Sequence, residues 1–260
     1  TVEGSVTAEI PSSTYGGVYI AGVAASNQGA SKLENVTSNV TVTVTGNGGY
    51  MILIGGLAAS ASSLTMQGCA NLGNVSTENG TVAGLGCAGW GTVTVLQSYN
   101  AGNISGKTGN VGGLCAVAGG KAKVTNSFNC GDVRGESGNV GGIASQGGSG
   151  DDWMPLIQGC YNTGLVTATT GKAGGLAGGT DGVACYSYSI GDAFCGSSQY
   201  SWNCYATSNN TKSSGVTVVT FEALKDSTDK INGTATSGSD YFVENKPYTP
   251  RLKWEDASAY

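Results

Sequence analysis

A short phrase, Gly or Ala followed by Gly and an aliphatic residue, recurs along the chain and constrains its fold more than any other feature. Its clearest copy is Gly112-Gly113-Leu114, and the glycine before the aliphatic residue falls at positions 22, 56, 84, 113, 142 and 175. The steps between these positions are 34, 28, 29, 29 and 33 residues. Periods of this length are typical of repeat architectures, in which each unit buries its apolar face against its neighbours.

A second motif, Asn-x-Gly, lies about half a repeat after the first and stays in phase with it. Each copy is preceded by a small or aromatic residue and is followed, two positions after the glycine, by an aliphatic one. Two motifs in phase indicate a repeat far more specifically than one. The copies are Asn71-Leu72-Gly73, Asn100-Ala101-Gly102, Asn129-Cys130-Gly131 and Asn162-Thr163-Gly164, preceded by Ala70, Tyr99, Phe128 and Tyr161.

With both motifs in place, residues 18–210 resemble the GLUG-repeat family of secreted and cell-surface bacterial proteins. The first and last copies are degenerate, since the first lacks Asn-x-Gly and the last keeps only Gly191-Asp192-Ala193. The closing segment around Tyr248 to Trp254 is also similar to the Tyr-Pro-x-Leu-x-Trp segment that follows such arrays. The resemblance implies a β-solenoid within an adhesin or another surface-anchored protein, and it brings no catalytic residues.

We therefore predict an all-β fold, a right-handed parallel β-solenoid of about six coils. Residues 1–17 form an N-terminal strand or cap, 18–210 the repeats and 211–260 a C-terminal capping segment. The copy at 111–139 divides at its turn signals into strands over 111–117, 122–128 and 132–135. Two ladders are expected to point inward, Leu85, Leu114, Ile143 and Leu176 in one, and Val75, Ile104, Val133 and Val166 in the other.

Composition excludes several function classes. Glycine makes 45 of 260 residues, without the strict period of collagen, and charged residues make 11%. The net charge is −5 with no basic run, which disfavours nucleic acid as a partner. No apolar stretch is long enough to insert into a membrane. The chain has no histidine, which removes serine–histidine and cysteine–histidine catalysis.

Eight cysteines are too few for a disulfide scaffold, and none forms the paired clusters of a zinc site. Cys69 and Cys160 share a repeat position with Ser98 and Ser127, which favours small, inward-facing residues and free thiols. Cys185, Cys195 and Cys204 lie in the least regular segment. For these three a disulfide that staples the end of the array is an open alternative.

Residues 147–156 form an insertion that carries Asp151, Asp152 and Trp153. Insertions in solenoids form loops on one side, often the binding side. Two acids beside an aromatic suit stacking on a carbohydrate or binding of Ca²⁺, the one cofactor that we consider. The alternative is a solvated turn with Trp153 folded over the edge of the coil.

Two further segments have both a functional and a structural interpretation. The aromatic residues Tyr186, Tyr188, Tyr200 and Trp202 indicate either a binding patch or a cap on the terminal coil. The alternating run over residues 2–10 indicates a strand that either covers the first coil or pairs with another subunit.

The resulting hypothesis is a non-enzymatic structural or adhesion module of an extracellular or cell-surface bacterial protein, a rigid rod that displays binding loops. Because the chain starts at Thr1, without Met or a signal-peptide pattern, we expect a processed or excised piece of a longer protein. Its partners would be a host or cell-surface glycan or protein, or copies of itself. One alternative is a self-assembling filament subunit. Another is a polysaccharide-acting β-helix enzyme, with Asp132, Asp151, Asp152, Asp181 and Asp192 as its candidate carboxylates.

Overall fold

The protein is a stack of parallel β-strands, and the predicted all-β, parallel β-solenoid architecture is confirmed. The structure is a computed structural model that describes residues 1–26, 29–60, 62–146, 156–179, 183–191, 193–197, 199–233 and 240–255. Each coil adds strands that pair in parallel with the equivalent strands of the coils before and after it. This stacking explains how strands of two to five residues persist, since their backbone groups bond between coils.

The strands of the first half follow in chain order. β1 (Val2–Ile10) precedes the first coil, which contains β2 (Gly17–Ala21), β3 (Ala24–Ser26), β4 (Ser31–Glu34) and β5 (Thr37–Gly46). The second coil contains β6 (Met51–Gly55), β7 (Ala58–Ser60), β8 (Leu64–Gln67), β9 (Ala70–Asn71) and β10 (Val75–Thr77). The third contains β11 (Thr81–Ala83), β12 (Gly86–Ala88), β13 (Thr92–Leu96), β14 (Tyr99–Asn100) and β15 (Ile104–Gly106).

The second half continues this order and ends in two short helices. The fourth coil contains β16 (Val111–Gly112), β17 (Cys115–Val117), β18 (Lys121–Thr125), β19 (Phe128–Asn129) and β20 (Val133–Gly135). Then come β21 (Asn139–Gly141), β22 (Ile157–Gln158), β23 (Tyr161–Asn162), β24 (Val166–Ala168), β25 (Lys172–Gly174), β26 (Val183–Ser189), β27 (Gln199–Ala206) and β28 (Ser213–Val218). The last elements are α1 (Phe221–Lys225), α2 (Thr228–Asn232), β29 (Phe242–Val243) and β30 (Arg251–Leu252).

The strands form a few continuous sheets along the rod. β2, β6, β11, β16, β21 and β25 form a six-stranded sheet, one strand from each of six coils. A four-stranded sheet of β3, β7, β12 and β17 lies beside it, and the remaining coil strands belong to one 18-stranded sheet. The stack reaches β28, within the region that we predicted as the C-terminal cap. The predicted helical turn at 221–225 coincides with α1.

The predicted division of the copy at 111–139 into three strands was wrong, because the fourth coil has five. The chain bends after Gly112, at residues 113–114, which separates β16 from β17. A Cβ at Gly112 would lie 2.6 Å from the carbonyl carbon of Cys115, so only glycine fits this bend. Asn126 adopts a left-handed conformation with φ 52° and separates β18 from β19.

Both predicted inward ladders are confirmed, and they belong to two separate apolar clusters. Leu85, Leu114, Ile143 and Leu176 are fully buried in the first cluster with residues of β8, β13 and β18. Val75, Ile104 and Val133 are buried in the second, and Val166 is partly buried against it. Burial of each such side chain stabilises the fold by about 1.5–3 kcal/mol.

A ladder of buried asparagines runs through the coils. The side-chain amide of Asn71 donates to Asn100, that of Asn100 to Asn129 and that of Asn129 to Asn162, each at 2.7 Å. Each amide also donates to the carbonyl oxygen of the glycine two residues later, as Asn100 does to Gly102 at 2.7 Å. These bonds satisfy polar groups that would otherwise be costly to bury.

The C-terminal strap, residues 240–255, packs along the side of the stack. There the rings of Tyr99, Phe128, Tyr161 and Tyr188 form a continuous stack with centroids 4.8–5.0 Å apart. Phe242 and Leu252 are buried against this ring stack. The Trp254 indole donates to the Asn126 carbonyl oxygen at 2.7 Å, and the Tyr161 hydroxyl donates to Glu255 at 2.9 Å.

Candidate functional site

A groove of about 430 Å³ crosses the face formed by β5, β10, β15, β20 and β24. The five strands pair in register, so equivalent outward positions form rows along the rod axis. The first row consists of Thr43, Ser76, Ser105, Arg134 and Thr167, and the second of Thr45, Glu78, Lys107, Glu136 and Thr169.

Strand alternation creates these rows. In β15, Ile104 and Gly106 point inward and are buried, while Ser105 between them is exposed. β20 repeats the pattern with Val133, Arg134 and Gly135. Because successive side chains of a strand point to opposite faces, the same positions that supply the core supply the groove. The inward ladder was predicted from the sequence, and the outward rows were not.

The groove carries charges of both signs, arranged as neighbouring pairs. The Lys107 ammonium lies 3.0 Å from the Glu78 carboxylate, and the Arg134 guanidinium lies 3.0 Å from that of Asp132. The hydrogen bond that Lys107 donates to Glu78 lowers the pKa of Glu78 and raises the pKa of Lys107. These pairs are exposed, so they contribute little to stability but fix the charge pattern of the groove.

Asp132, one of the predicted catalytic candidates, has a structural role. Its carboxylate accepts a hydrogen bond from the Leu165 backbone N–H at 3.1 Å, as Asn103 accepts one from Asp132 N–H at 3.0 Å. The residue therefore continues a row of turn side chains that link consecutive coils. Its contact with Arg134 still places it at the edge of the groove.

The aromatic residues predicted as one patch or cap occupy different environments. Tyr188 is fully buried in the ring stack, and its hydroxyl donates a hydrogen bond to the carbonyl oxygen of Pro250 in the strap. Tyr186 is half-buried and packs against Tyr241 with ring centroids 6.1 Å apart. Tyr200 and Trp202 lie two residues apart on β27 and are exposed, at 73% and 40%. Of these four described residues, Tyr200 and Trp202 alone present exposed aromatic surface of the kind that a ligand could cover.

The predicted insertion site lies outside the described residues, as Asp151, Asp152 and Trp153 all fall between the described ranges 62–146 and 156–179. The same holds for Asp181 and Asp192. Within the described ranges, no group of three or more Cys, Asp or Glu residues is placed to hold a metal ion.

All eight cysteines belong to the described part of the chain and are free thiols, so the alternative of a terminal disulfide is not realised. Cys69 and Cys160 are buried at the predicted inward position, next to Ser98 and Ser127. Burial raises the pKa of Cys160, Cys185 and Cys195 to about 12 each. Such thiols are poor nucleophiles, because the thiolate is the reactive form.

The strap is the feature that sequence reasoning missed most clearly. In the sequence, the aromatic residues before the Asn-x-Gly motif were read only as part of that motif; they are Tyr99, Phe128 and Tyr161. An outward aromatic residue in successive repeats indicates a continuous apolar strip. Beside Trp254, a cavity of about 250 Å³ lies between Tyr99, Gln97 and Trp254.

In the comparisons with known proteins, no family model matches the chain, and neither a curated protein nor a solved structure matches it. Across the described residues, neither helix has the length or apolar character to cross a membrane, since α1 and α2 have five residues each.

Proposed function

We propose that the protein is a non-enzymatic structural and adhesion module of an extracellular or cell-surface bacterial protein, a rigid rod that displays binding surfaces. The observation that carries this proposal is the parallel pairing from coil to coil, from β2 to β25 in one sheet and from β4 to β28 in another, with a register shift between β27 and β28. The GLUG-like pairing of the two sequence motifs supports the same class of protein.

Stiffness follows from the way in which the coils are joined. Neighbouring coils share sheet hydrogen bonds, apolar ladders, the asparagine ladder and the ring stack, so bending would strain all four at once. In a stacked repeat, stability comes from such interfaces between neighbouring units. A rod of this kind suits the display of ligand-binding surfaces away from a cell.

Two outward surfaces suit adhesion because the stack itself does not use them. One is the polar groove around Ser105 and Arg134, and the other is the exposed pair Tyr200 and Trp202. Tyrosine and tryptophan often anchor binding interfaces. The insertion at 147–156, outside the described residues, is a third candidate surface on sequence grounds.

The proposal is tested by measuring binding of the purified protein to intact bacterial and host cells and to extracellular matrix. We expect saturable binding that a Tyr200→Ala/Trp202→Ala or a Ser105→Tyr variant weakens, while Thr94→Tyr, on the outer side of β13, leaves it unchanged. If the protein resists proteolysis but binds none of these surfaces, the adhesive role would be rejected and only the structural role would remain.

A second candidate function is self-assembly, which the edge of β1 favours. β1 pairs with β5 through nine residue pairs, and no strand lies on its other side within the described residues. Open strand edges are templates for pairing with another chain. Deleting residues 1–10 separates the interpretations. A subunit contact would be lost and oligomers would disappear, whereas loss of a cap would uncover β5 and increase aggregation.

A third candidate, polysaccharide cleavage, is favoured by the two carboxylates Glu78 and Glu136 in the groove. A glycosidase needs one carboxyl that stays protonated, and therefore has a raised pKa, to act as general acid. The pKa of Glu78 is lowered instead. We expect no release of reducing ends from polysaccharides. Release that is abolished by Glu78→Gln or Glu136→Gln would replace the adhesion proposal with an enzyme.

A further inference from the structure

The geometry points to the groove over β5, β10, β15, β20 and β24 as a binding site for a neutral polysaccharide chain that lies along the rod axis. This inference rests on the proposed adhesive function and assigns it a ligand class and a location. From the sequence, the loops were the expected place of ligand binding.

The shape fits an extended polymer. Equivalent side chains recur at the spacing of neighbouring strands, about 4.8 Å, so the five strands present a row about 19 Å long. A polymer parallel to the rod axis meets a hydrogen-bonding side chain at each step. Thr43, Ser76, Ser105 and Thr167 supply hydroxyls, and Arg134 supplies guanidinium donors in the same row.

The lining favours a glycan over a peptide. A peptide is usually held by addition to an open sheet edge or by apolar pockets for its side chains. The groove crosses the middle of a sheet, where β10, β15 and β20 have paired strands on both sides. None of the described residues that line it is aromatic, and its single aliphatic residue, Val44, is buried.

Hydroxyl and charged side chains together suit sugar hydroxyls, which both donate and accept hydrogen bonds. The serines and threonines do both, Lys107 and Arg134 donate, and Glu78 and Glu136 accept. Hydrogen bonds to charged groups are stronger than those between neutral ones.

The balance of charge favours a neutral polymer. Each cation of the groove, Lys107 and Arg134, lies 3.0 Å from a carboxylate, and Glu136 adds a further negative charge. A polyuronate or a nucleic acid would have to bind against these carboxylates. Recognition of polyanions instead relies on clustered, uncompensated Lys and Arg.

The test is binding of the whole chain to a soluble neutral glucan, a soluble mannan and a polyuronate. Affinity electrophoresis and calorimetry measure this binding. We expect at least one neutral polymer to bind and the polyuronate not to bind. Ser105→Tyr, which fills the middle of the groove from an exposed position, should weaken binding at least tenfold, and Arg134→Ala should weaken it several-fold. Thr94→Tyr is the matched control on another face.

The outcomes separate this inference from the function on which it rests. If no neutral polymer binds while binding to cells persists, the groove is not a polysaccharide site and the adhesion proposal stands. Equal weakening by Ser105→Tyr and Thr94→Tyr would also overturn the inference, because it would move the contact elsewhere. Preferential binding of the polyuronate would contradict the argument from charge. Loss of all binding, to cells and polymers alike, would reject the adhesive function itself.

Discussion

The second glycine of the first sequence motif and the asparagine of the second motif, half a repeat later, contact each other inside the coil. A Cβ on Gly113 would lie 2.7 Å from the side-chain carbon of Asn129, and a Cβ on Gly56 would lie 2.6 Å from Asn71 Oδ1. A backbone carbonyl oxygen of the next coil, that of Gly142, would lie closer still to the Cβ on Gly113, so the second glycine of the first motif is required by that backbone as well as by the asparagine of the second motif. The ladder begins at Asn71, whose buried Oδ1 has no hydrogen-bond partner among the residues that the structure describes.

We predict that Asn100→Ala destabilises the protein by about 2–4 kcal/mol, because Asn129 Oδ1 loses its donor and stays buried. Asn103→Ala is the control, since Asn103 is exposed and water can replace its bond to Asp132 N–H. That change should cost less than about 1 kcal/mol. Urea unfolding, monitored by circular dichroism, measures the stability of both variants. Equal losses for the two variants would show that burial of the ladder is unimportant.

The buried thiols predict a loss of stability at alkaline pH. Burial raises the pKa of Cys160 to about 12 from an ordinary value of 9.0, so above pH 9 the unfolded chain releases protons that the folded chain retains. The contribution of this thiol is complete below pH 9 and is lost as the pH rises towards 12, by up to about 1.4 kcal/mol per pH unit.

Cys160→Ser is the matched variant, because serine occupies the equivalent position at Ser127 and Ser187. We expect its thermal unfolding temperature to fall less steeply between pH 9 and pH 10.5 than that of the unchanged protein. Parallel pH profiles would mean that the Cys160 thiol titrates at the same pH in both states.

Among the secondary-structure elements, the strap departs most from the predicted cap. It contacts the side of the stack, where Phe242 packs on Tyr161 and Tyr188 with centroids 6.4 and 5.5 Å away. Trp254 lies 5.8 Å from Phe128 in an earlier coil. The strap thus ties together coils that otherwise contact only their neighbours, which adds a long-range interaction to a stacked fold.

We predict that Phe242→Ala destabilises the protein by about 3–5 kcal/mol, the usual range for a buried phenylalanine. The variant should also become more sensitive to protease within residues 240–255. Tyr248→Ala, in the same strap but 62% exposed, is the control and should change stability little. A Phe242→Ala protein as stable as the original would show that the strap does not support the stack.

Over the whole molecule, the two ends of the stack differ. In the described parts of the chain, the face of the groove contains six strands, β1, β5, β10, β15, β20 and β24. The face that begins at β4 contains eight, β4, β8, β13, β18, β22, β26, β27 and β28. If β1 of one copy paired with β24 of another, the first face would continue from copy to copy. On the second face, β4 of the first copy would then be displaced by two strands from the position next to β28 of the other copy, so these two strands could not pair.

We therefore predict a monodisperse monomer, because two rigid copies cannot continue both faces at once. Size exclusion with light scattering over a wide range of protein concentration is the measurement. A concentration-dependent increase in mass, or filaments under negative stain, would contradict the prediction and favour self-assembly through β1.

The sequence by itself determined the repeat, the parallel stacking and the inward ladders, because periodic glycine and aliphatic positions report interactions between neighbouring coils. It also indicated the inward position of Cys69 and Cys160, since serine replaces them in the copies between. Only the tertiary structure decided where the strap packs, that Tyr188 is buried while Tyr200 is exposed, and that Ser105 and Arg134 line one groove. These depend on which face of a strand each coil presents and on contacts between residues far apart in the chain, such as Trp254 and Asn126, which no local pattern encodes.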